Sequence, residues 1–424
     1  MNKTTNTIGN IKDSEYLRVI NKIISWIENK QFTSYDPYDI LGHSIITRIR
    51  RKSWDPITIA SSKTDEHSYF SKMIKKSLMP FYQSKSFTNL LRILFGIKKN
   101  INPKTFGLIT QGYCDLFRLT KEHQFLEKIE TALEWLIIHS NKDFGKYCWG
   151  IPYTWQMVRP NYLIPKGAPQ STLTAVNALS FLDAFHLTQN EKYLDVSKSC
   201  AKFMLEDLRI RKIKTNEISF SYTPYDDTHV LNVNLHIGAL FSRLWKITNE
   251  DIYHDYCVKG MNFVMSHQRE DGAWYYSSDI DGYVNAVDNT HTGDNLEYLQ
   301  IISENLDDFM YRDKFNLGIE YYANNFFLET GMPKYTDKSI YPVDIHTCSQ
   351  SVITLSLLAK NNSVYLDLAK KVNDWIIRNM FDHRGYFYYR LYQKNNYDKN
   401  DFIGWGDAWM IKALACLLKA EYIT

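Results

Sequence analysis

The sequence predicts an all-α fold, a closed (α/α)6 toroid of six helical hairpins with short strand-like arms at one rim. The main observation is a repeat. Six times, at intervals of 55 to 66 residues, a turn of small or polar residues leads into a long apolar helical pattern. A second helical pattern with a charged face usually follows, and two helices in each period are typical of a helical repeat architecture. The first helices begin near Thr105, Ser171, Val233, His291, His346 and Trp405.

The second helices complete the hairpins. Five of them follow their partners directly and begin near Glu122, Lys192, Ile252, Tyr311 and Val364. The sixth is the N-terminal stretch from Ser14 to Lys30, which has a matching pattern. Because the first helix of the chain then pairs with the last, the hairpins are expected to close into a ring.

The two helices of a hairpin differ in their apolar pattern. Residues 173–187 are apolar on nearly every face, which is typical of a helix buried on all sides. Residues 192–208 carry one apolar stripe opposite a charged face. We therefore predict that the first helices form an inner ring and the second helices an outer one. The N-terminal ends of the inner helices should then surround one mouth of the ring.

The repeat favours a single domain over residues 1–424, since no linker interrupts it. Residues 31–104 are the exception, and we predict that they form an irregular insertion or cap on one face. They contain two basic patches, at 48–52 and 75–82. These patches are either a solvated surface or a contact for an acidic polymer.

Composition and charge exclude several classes of protein. The net charge of +3, from 50 basic and 47 acidic residues, gives no reason to expect a nucleic-acid partner. The N-terminus lacks a signal-peptide core, and no stretch approaches the roughly 18 apolar residues of a membrane span, so we predict a cytoplasmic protein. The six scattered cysteines imply buried free thiols. No cluster has metal-ligand spacing, and we predict neither a metal nor another cofactor. The oligomeric state stays open.

Gly-aromatic segments follow three of the outer helices, at residues 149–156, 271–277 and 384–390. Aromatic residues after glycine favour extended backbone, so each segment is predicted to cross the mouth as a strand-like arm. The candidate substrate-binding residues of these arms are Trp149, Tyr153, Trp155, Trp274, Tyr389 and Arg390.

Polar residues enter the inner helices at equivalent positions. Residues four apart share a helix face, and the pairs are Asn232 with His236, His291 with Asn295, and His346 with Gln350. The candidate catalytic residues are His291, Asp294, His346, Asp344, Asp288 and Asp407. Further candidates for substrate binding are Asn234, His236, Gln350 and Trp405. Aromatic rings with a few acids, amides and histidines are typical of a saccharide site.

Each of these residues also has a simpler structural explanation. Asp288 is suited to capping its helix, a histidine in a helical run is commonly a hydrogen-bonded core residue, and the aromatic residues could serve packing. Repetition at equivalent places favours the site, because polar groups that recur at the rim of a ring converge on one cavity.

A series of blocks resembles a family of bacterial toroid proteins. The blocks include WGIPYTWQ, IPKGAPQSTLTAVNAL, NVNLHIGAL, DNTHTGDNLEYL, YPVDIHTCSQSVITL and WGDAWMIKAL, and the resemblance covers about residues 105–420. The family comprises polysaccharide-biosynthesis proteins of exopolysaccharide and capsule gene clusters, which implies a role in making a bacterial surface polysaccharide (exopolysaccharide, capsule or O-antigen) without specifying the reaction. The family pattern has an aromatic residue at Asp294 and Arg-Trp-Gly-Gln at 404–407. This chain therefore has two added acids and lacks the arginine.

More distantly, the ring resembles the toroid domains of uronyl epimerases, polysaccharide lyases and unsaturated-glucuronyl hydrolases. For epimerisation or elimination at a uronate, His291, His346 or Tyr389 would act as acid or base. Asn234 and Gln350 would bind the substrate carboxylate. Hydrolysis needs two carboxylates across the scissile bond, and the candidates are Asp288, Asp294, Asp344 and Asp407.

Two classes of function follow from these observations. The first is a glycoside hydrolase or a uronate lyase or epimerase that acts on an oligo- or polysaccharide in the toroid. The alternative is a non-catalytic glycan-binding or scaffold protein of polymer assembly, which shares the aromatic rim but needs no particular acid or histidine. The segment QREDGAW (268–274) matches a turn of the triterpene cyclases, but the chain has no DxDD acid motif. A zinc-dependent cyclase would need a Cys/Cys/His site, and only Cys348 lies near a rim histidine in sequence.

Overall fold

The computed structural model describes residues 11, 13–40, 43, 85–156, 163–278, 287–307 and 309–423. Both basic patches lie outside these residues. Thirteen α-helices lie within the described part of the chain. They are α1 (Glu15–Asn29), α2 (Lys85–Leu94), α3 (Pro103–Thr120), α4 (His123–Ile138), α5 (Ser171–Thr188), α6 (Glu191–Glu206), α7 (Leu231–Thr248), α8 (Asp251–Ser266), α9 (Asn289–Asn305), α10 (Arg312–Asn325), α11 (Ile345–Leu358), α12 (Val364–Met380) and α13 (Ala408–Ile423).

The helices form two concentric rings. The inner helices are α3, α5, α7, α9, α11 and α13; each contacts the next, and α13 contacts α3. The outer helices α4, α6, α8, α10 and α12 each pack on the inner helix that precedes them, while α1 packs on α13. The predicted (α/α)6 toroid is confirmed, including its closure by the N-terminal helix.

Burial follows the predicted contrast between inner and outer helices. In α5, every residue from Ser171 to Leu182 is buried, as an inner helix surrounded by neighbours requires. In α1, one face is buried, including Ile20, Ile23 and Ile27, and the Ser14 side chain accepts a hydrogen bond from the backbone N–H of Tyr16. Each such apolar side chain contributes about 1.5–3 kcal/mol of burial free energy, which holds the outer ring against the inner one.

Short turns reverse the chain between the helices of a hairpin. Three inner helices are followed by a residue in left-handed conformation, Lys121, Gln189 or Asn249, with φ of 59°, 55° and 56°. The N–H of each donates back to a carbonyl four residues earlier, which ends the helix. After the second of these turns, the Asn190 side chain accepts from the N–H of Lys192 and begins the next helix.

Nine short strands lie among the described residues. They are β1 (Trp155–Gln156), β2 (Leu163–Ile164), β3 (Ile210–Lys214), β4 (Glu217–Phe220), β5 (Val343–Asp344), β6 (Phe381–Asp382), β7 (Tyr386–Phe387), β8 (Arg390–Tyr392) and β9 (Asn396–Asp398). All pairings are antiparallel: β1 with β2, β3 with β4, β6 with β7, and a sheet in the order β5-β8-β9. The β3–β4 hairpin was not predicted from the sequence.

Two of the three predicted arms contain strands, and the third does not. Residues 149–156 end in β1 and residues 384–390 contain β7, whereas 271–277 forms only a bridge from Ser277 to Val230. This segment begins with a turn at Gly272, whose φ is 92°, and its last residues pair with the backbone just before α7. The Gln268 side chain donates to the carbonyl of Gly272 over 3.0 Å and to that of Lys314 over 2.9 Å, which ties the turn to α10.

The described parts of residues 31–104 pack beside the mouth of the ring. Ser34 forms a bridge with Asn100, and its side chain accepts from the N–H of Ile403 over 3.2 Å, next to the start of α13. A buried ion pair of 3.0 Å joins Arg92 of α2 to Asp39. None of the described helices has the length and apolar character that a membrane span requires.

Candidate functional site

The first group at the mouth centres on Asp294 of α9. One oxygen of its carboxylate is 2.8 Å from Nε2 of His236 and accepts from the Asn232 side-chain amide over 2.7 Å. Asn232 and His236 lie one turn apart on α7, so both reach the same oxygen. The ring of Tyr298 packs on His236 at 4.0 Å between centroids. Burial alone would raise the pKa of Asp294, but the charge and hydrogen bonds of its partners outweigh it and lower that pKa. Asp294 is therefore an ionised partner of His236.

The second group is His291 with Asp288, at the N-terminus of α9. The Asp288 carboxylate accepts from the backbone N–H of His291 over 2.8 Å and caps the helix. It also lies 2.8 Å from Nδ1 of the His291 ring, which the edge of Tyr276 approaches at 4.5 Å. Burial would lower the pKa of His291, but the charge of Asp288 and its hydrogen bond raise it above the usual value. With 35% of its side chain exposed, His291 can exchange a proton with a bound molecule. Asp288 thus serves both as helix cap and as partner of the histidine.

The third group surrounds His346 at the start of α11. Its ring meets Trp405 edge to face at 4.7 Å and Trp409 at 4.3 Å. Burial, reinforced by the charge of Lys104, holds the pKa of His346 well below its usual range. His346 lies in the first turn of α11, which packs on α9 with His291, and α9 packs on α7 with His236, so the three histidines lie on consecutive inner helices near one mouth. His346 is therefore neutral at pH 7.

Strand register supplies an ion pair next to His346. Asp344 of β5 is paired with Arg390 of β8, and one carboxylate oxygen accepts from Nε of Arg390 over 2.6 Å. The other oxygen caps α11 by accepting from the N–H of His346 over 2.9 Å. The Arg390 guanidinium lies 4.5 Å from the ring of Tyr389. Asp344 is therefore bound on both sides.

Aromatic side chains complete the rim. The ring of Tyr38 meets Trp405 edge to face at 5.1 Å, which brings the segment after α1 to the mouth. On the opposite side, Trp155 packs on Tyr222 at 5.6 Å, and the Thr172 hydroxyl donates to the Tyr222 oxygen over 3.1 Å. Tyr153 donates a hydrogen bond to Asp36. Sugar faces can stack on rings placed in this way.

A second polar layer lies deeper in the ring. Glu297 of α9 accepts from the ammonium of Lys412 over 2.7 Å and from the Gln350 amide over 2.7 Å. Sequence analysis missed Glu297, Lys412 and Lys104. For Glu297 and Lys412, the available signal was a charged residue inside an otherwise apolar inner-helix pattern, which is costly unless the charge is paired or used.

Four predicted site residues make hydrogen bonds that hold the backbone of neighbouring segments. The indole N–H of Trp149 donates to the carbonyl of Leu136 over 2.9 Å. That of Trp274 donates to Val264 over 3.3 Å, and both tryptophans are 1% exposed. In each case a Gly-aromatic segment closes over the end of an outer helix, so the recurrence of the motif reflects packing.

Asn234 and Asp407 are the other two of these four predicted site residues. The Asn234 amide accepts from Phe220 over 3.0 Å and donates to Val230 over 3.1 Å, so it fastens β4 to α7. Asp407 accepts from the N–H of Phe387 over 2.9 Å. Burial raises the pKa of Asp407 to about 8, and the other charges that act on it are Asp401 and Lys30 rather than the rim histidines. The hydrogen bonds of both residues go to backbone groups, and their roles in a site stay predictions.

The remaining predicted residues gather at the mouth or just below it, where their roles stay predictions. Among the described residues, no three His, Cys, Asp or Glu side chains form a group that could hold a metal ion. The absence of a metal and of a cofactor stays a prediction too.

Comparison with solved structures identifies the same fold in several enzymes. Cellobiose 2-epimerase from Bacillus thermoamylovorans B4167 is 12% identical with a TM-score of 0.60, over 76% of this chain and 88% of that one. A GH76 α-mannanase from Bacteroides thetaiotaomicron is 12% identical with a TM-score of 0.59, over 76% and 86%. A polysaccharide lyase is 13% identical with a TM-score of 0.54, over 75% and 90%.

At these identities, the similarity concerns the fold alone. No family model matches this chain, and neither does any curated protein. The family resemblance read from the sequence blocks therefore stays a prediction. The comparisons establish an (α/α)6 toroid, an architecture shared by an epimerase, a hydrolase and a lyase.

Proposed function

We propose that this chain is a carbohydrate-active enzyme that transfers a proton between histidines and a sugar carbon next to a carbonyl or carboxyl group, as an epimerase or a lyase does. The observation that carries the proposal is the set of three histidines at one mouth. His291 is held by Asp288 with a raised pKa, His346 is neutral between two tryptophans, and His236 is held by Asp294.

The carboxylates of the rim favour proton transfer over hydrolysis. Glycoside hydrolysis uses one carboxyl group as acid and a second as base or nucleophile. Asp288 and Asp294 contact histidines, and Asp344 contacts Arg390. Asp407, the fourth candidate, is turned toward β7. None of the four is free to act on a glycosidic bond in this arrangement.

The two accessible histidines are suited to complementary roles. His346, neutral at pH 7, takes the proton from carbon as general base, and His291, whose protonated form is favoured, returns a proton as general acid. His236 is buried and holds the carboxylate of Asp294 in one orientation. Trp405 supplies a face for the sugar ring.

The proposed cellular role of the chain rests on the sequence resemblance. That resemblance supports a cytoplasmic step in making a bacterial surface polysaccharide. We further propose that residues 31–104 form a cap on a single toroid domain. The epimerase and lyase among the structural neighbours support the reaction class only as analogy. The alternative is a non-catalytic glycan-binding protein, which would use the same aromatic rim.

The test is incorporation of deuterium from heavy water into neutral and acidic bacterial oligosaccharides, followed by proton NMR and mass spectrometry. We expect deuterium at C2 of a reducing sugar or at C5 of a uronate. His291→Asn and His346→Asn should each slow incorporation by about 100-fold or more. His186→Asn is the control, since this exposed histidine lies near the far end of inner helix α5.

Other outcomes would redirect the proposal. Shortened products without deuterium at carbon would indicate a hydrolase. Saturable binding with no change in any sugar, unaffected by His291→Asn, would indicate the glycan-binding alternative.

A further inference from the structure

Several charged groups at the mouth or just below it pair with a group of opposite charge. Four carboxylates each contact a basic side chain: Asp294 with His236, Asp288 with His291, Asp344 with Arg390, and Glu297 with Lys412. The two acids that distinguish this chain from the related sequence pattern add no free negative charge, because Asp294 is paired and the raised pKa of Asp407 keeps it largely protonated at neutral pH.

Among the described residues at the mouth, Lys104 is a basic side chain without such a partner. It is the second residue of α3 and lies partly buried at the mouth, with its ammonium 4.6 Å from the centre of the Trp409 ring. Within the described part of the chain, no carboxylate oxygen lies within 4 Å of this ammonium. The acids whose charges act on Lys104 are Asp294 and Glu297, and both already have partners.

A desolvated ammonium without a carboxylate is costly. Burial lowers the pKa of Lys104 to about 8, so the charged form persists at neutral pH but is destabilised. A tryptophan face compensates only part of the lost hydration. An anion placed at the mouth would supply the missing partner, and its affinity would benefit from the same desolvation.

We propose that Lys104 binds an anionic substituent of the sugar, a carboxylate or a phosphate, beside Trp409. This inference rests on the proposed function in one respect, that a sugar occupies the mouth. It replaces Asn234 as a carboxylate ligand, because Asn234 is bonded to Phe220 and Val230. It also makes Lys104 the residue that selects acidic over neutral sugars.

Binding by calorimetry tests the inference with three probes: D-glucuronate, D-glucose 6-phosphate and D-glucose. We expect at least one anionic sugar to bind more tightly than glucose. Lys104→Met should weaken that anion by roughly 10- to 100-fold, the range for a hydrogen bond to a charged group, and leave glucose unchanged. The anion that Lys104→Met affects more identifies the substituent.

Two further variants separate charge at this site from general effects. Lys104→Arg should keep the preference for the anion, which a purely structural role of the lysine does not predict. Lys246→Met removes a charge from the far end of inner helix α7, where Lys246 pairs with exposed Asp307, and should leave all three affinities unchanged.

Several results would overturn the inference. The first is equal affinity for glucose and both anionic sugars, and the second is anion binding that Lys104→Met leaves unchanged. The third is a sugar adduct on Lys104 after reduction with cyanoborohydride, which would make the lysine an imine-forming residue. Deuterium exchange in the same samples separates this inference from the proposed function. Exchange into an anionic sugar by Lys104→Met at the wild-type rate, measured at subsaturating sugar, would retain the function and reject the anion site, whereas Lys104-dependent anion binding without exchange would do the reverse.

Discussion

At the scale of single residues, the candidate site places two histidine side chains in surroundings that shift their pKa values differently. Asp288 raises the pKa of His291, while burial and Lys104 lower that of His346. The pKa values of two histidines of one mouth are therefore shifted in opposite directions. A pair of groups whose surroundings separate their pKa values is the usual arrangement for acid and base in one active site.

The pH dependence of kcat/KM should follow from this separation. Activity should fall on the acid side as His346 becomes protonated, below pH 6.5, and on the alkaline side as His291 loses its proton, above pH 6.5. Asp288→Asn removes the charge that holds the His291 proton but retains a capping side chain. We expect it to move the alkaline limb to lower pH and leave the acid limb in place. Asp255→Asn, on the exposed face of α8, is the control. An unmoved alkaline limb would exclude His291 as the acid.

Asp407 makes a separate prediction about stability. Its pKa is raised from 3.8 to about 8 by burial, so between these values the folded protein holds a proton that the unfolded chain has lost. Stability should therefore fall as pH rises from about 4 to 8, by up to about 1.4 kcal/mol per pH unit from this group. Asp407→Asn keeps an acceptor for the N–H of Phe387 and should make the curve of unfolding free energy against pH shallower. Parallel curves for the two proteins in urea would contradict the assignment.

At the scale of elements, short turns and clasps position the helices. The 268–274 turn joins the end of α8 to α10 through the Gln268 side chain, and it places Trp274 under the helix end. Strand register positions side chains at the mouth, because the pairing of β5 with β8 sets Asp344 opposite Arg390. These contacts explain why Gly-aromatic segments recur without all of them serving the site.

Gly272 is the position at which the 268–274 turn tolerates least change. Its φ is 92°, and an added Cβ would lie 2.5 Å from the carbonyl oxygen of Leu317. We expect Gly272→Ala to lower the free energy of unfolding by about 2–5 kcal/mol, from backbone strain and overpacking together. Gly145→Ala is the matched control, because Gly145 has φ 62° with open space around it and should lose only about 1–2 kcal/mol. Denaturation in urea measures both, and equal losses would show that crowding by α10 is unimportant.

At the scale of the whole molecule, the closed ring joins the two ends of the chain. Helix α1 packs on α13, so the first helix of the described chain completes the last hairpin. The ring gathers the N-terminal ends of six inner helices at one mouth, where the histidines meet. The site therefore depends on closure as much as on its own residues.

Closure can be tested at Ile23, which is 0% exposed on the buried face of α1. Ile23→Ala should lower the free energy of unfolding by about 2–5 kcal/mol, because it leaves a cavity between α1 and the ring. Ile138→Ala, at the end of α4 where Ile138 is 60% exposed, should change it by about 0.5 kcal/mol or less. Equal effects in urea denaturation would mean that α1 does not hold the ring together.

The sequence by itself determined the ring, its helices and the choice of mouth. Apolar periodicity is a local property, and it distinguishes an inner helix such as α5, buried on every face, from an outer one such as α1. Helix spacing also placed Asn232 and His236 on one face, and His291 close to Asp288.

Only the tertiary structure decided which of these residues lie together at the mouth. His236 and Asp294 are 58 residues apart, so their contact depends on how α7 packs against α9. The burial of Trp149 depends likewise on contacts outside its own segment. Lys104 has no motif around it, and only the tertiary structure shows that its ammonium lies beside Trp409 at the mouth. Periodicity reports the face of a helix that is buried, whereas charge pairing and pKa depend on distances between helices that the chain order does not contain.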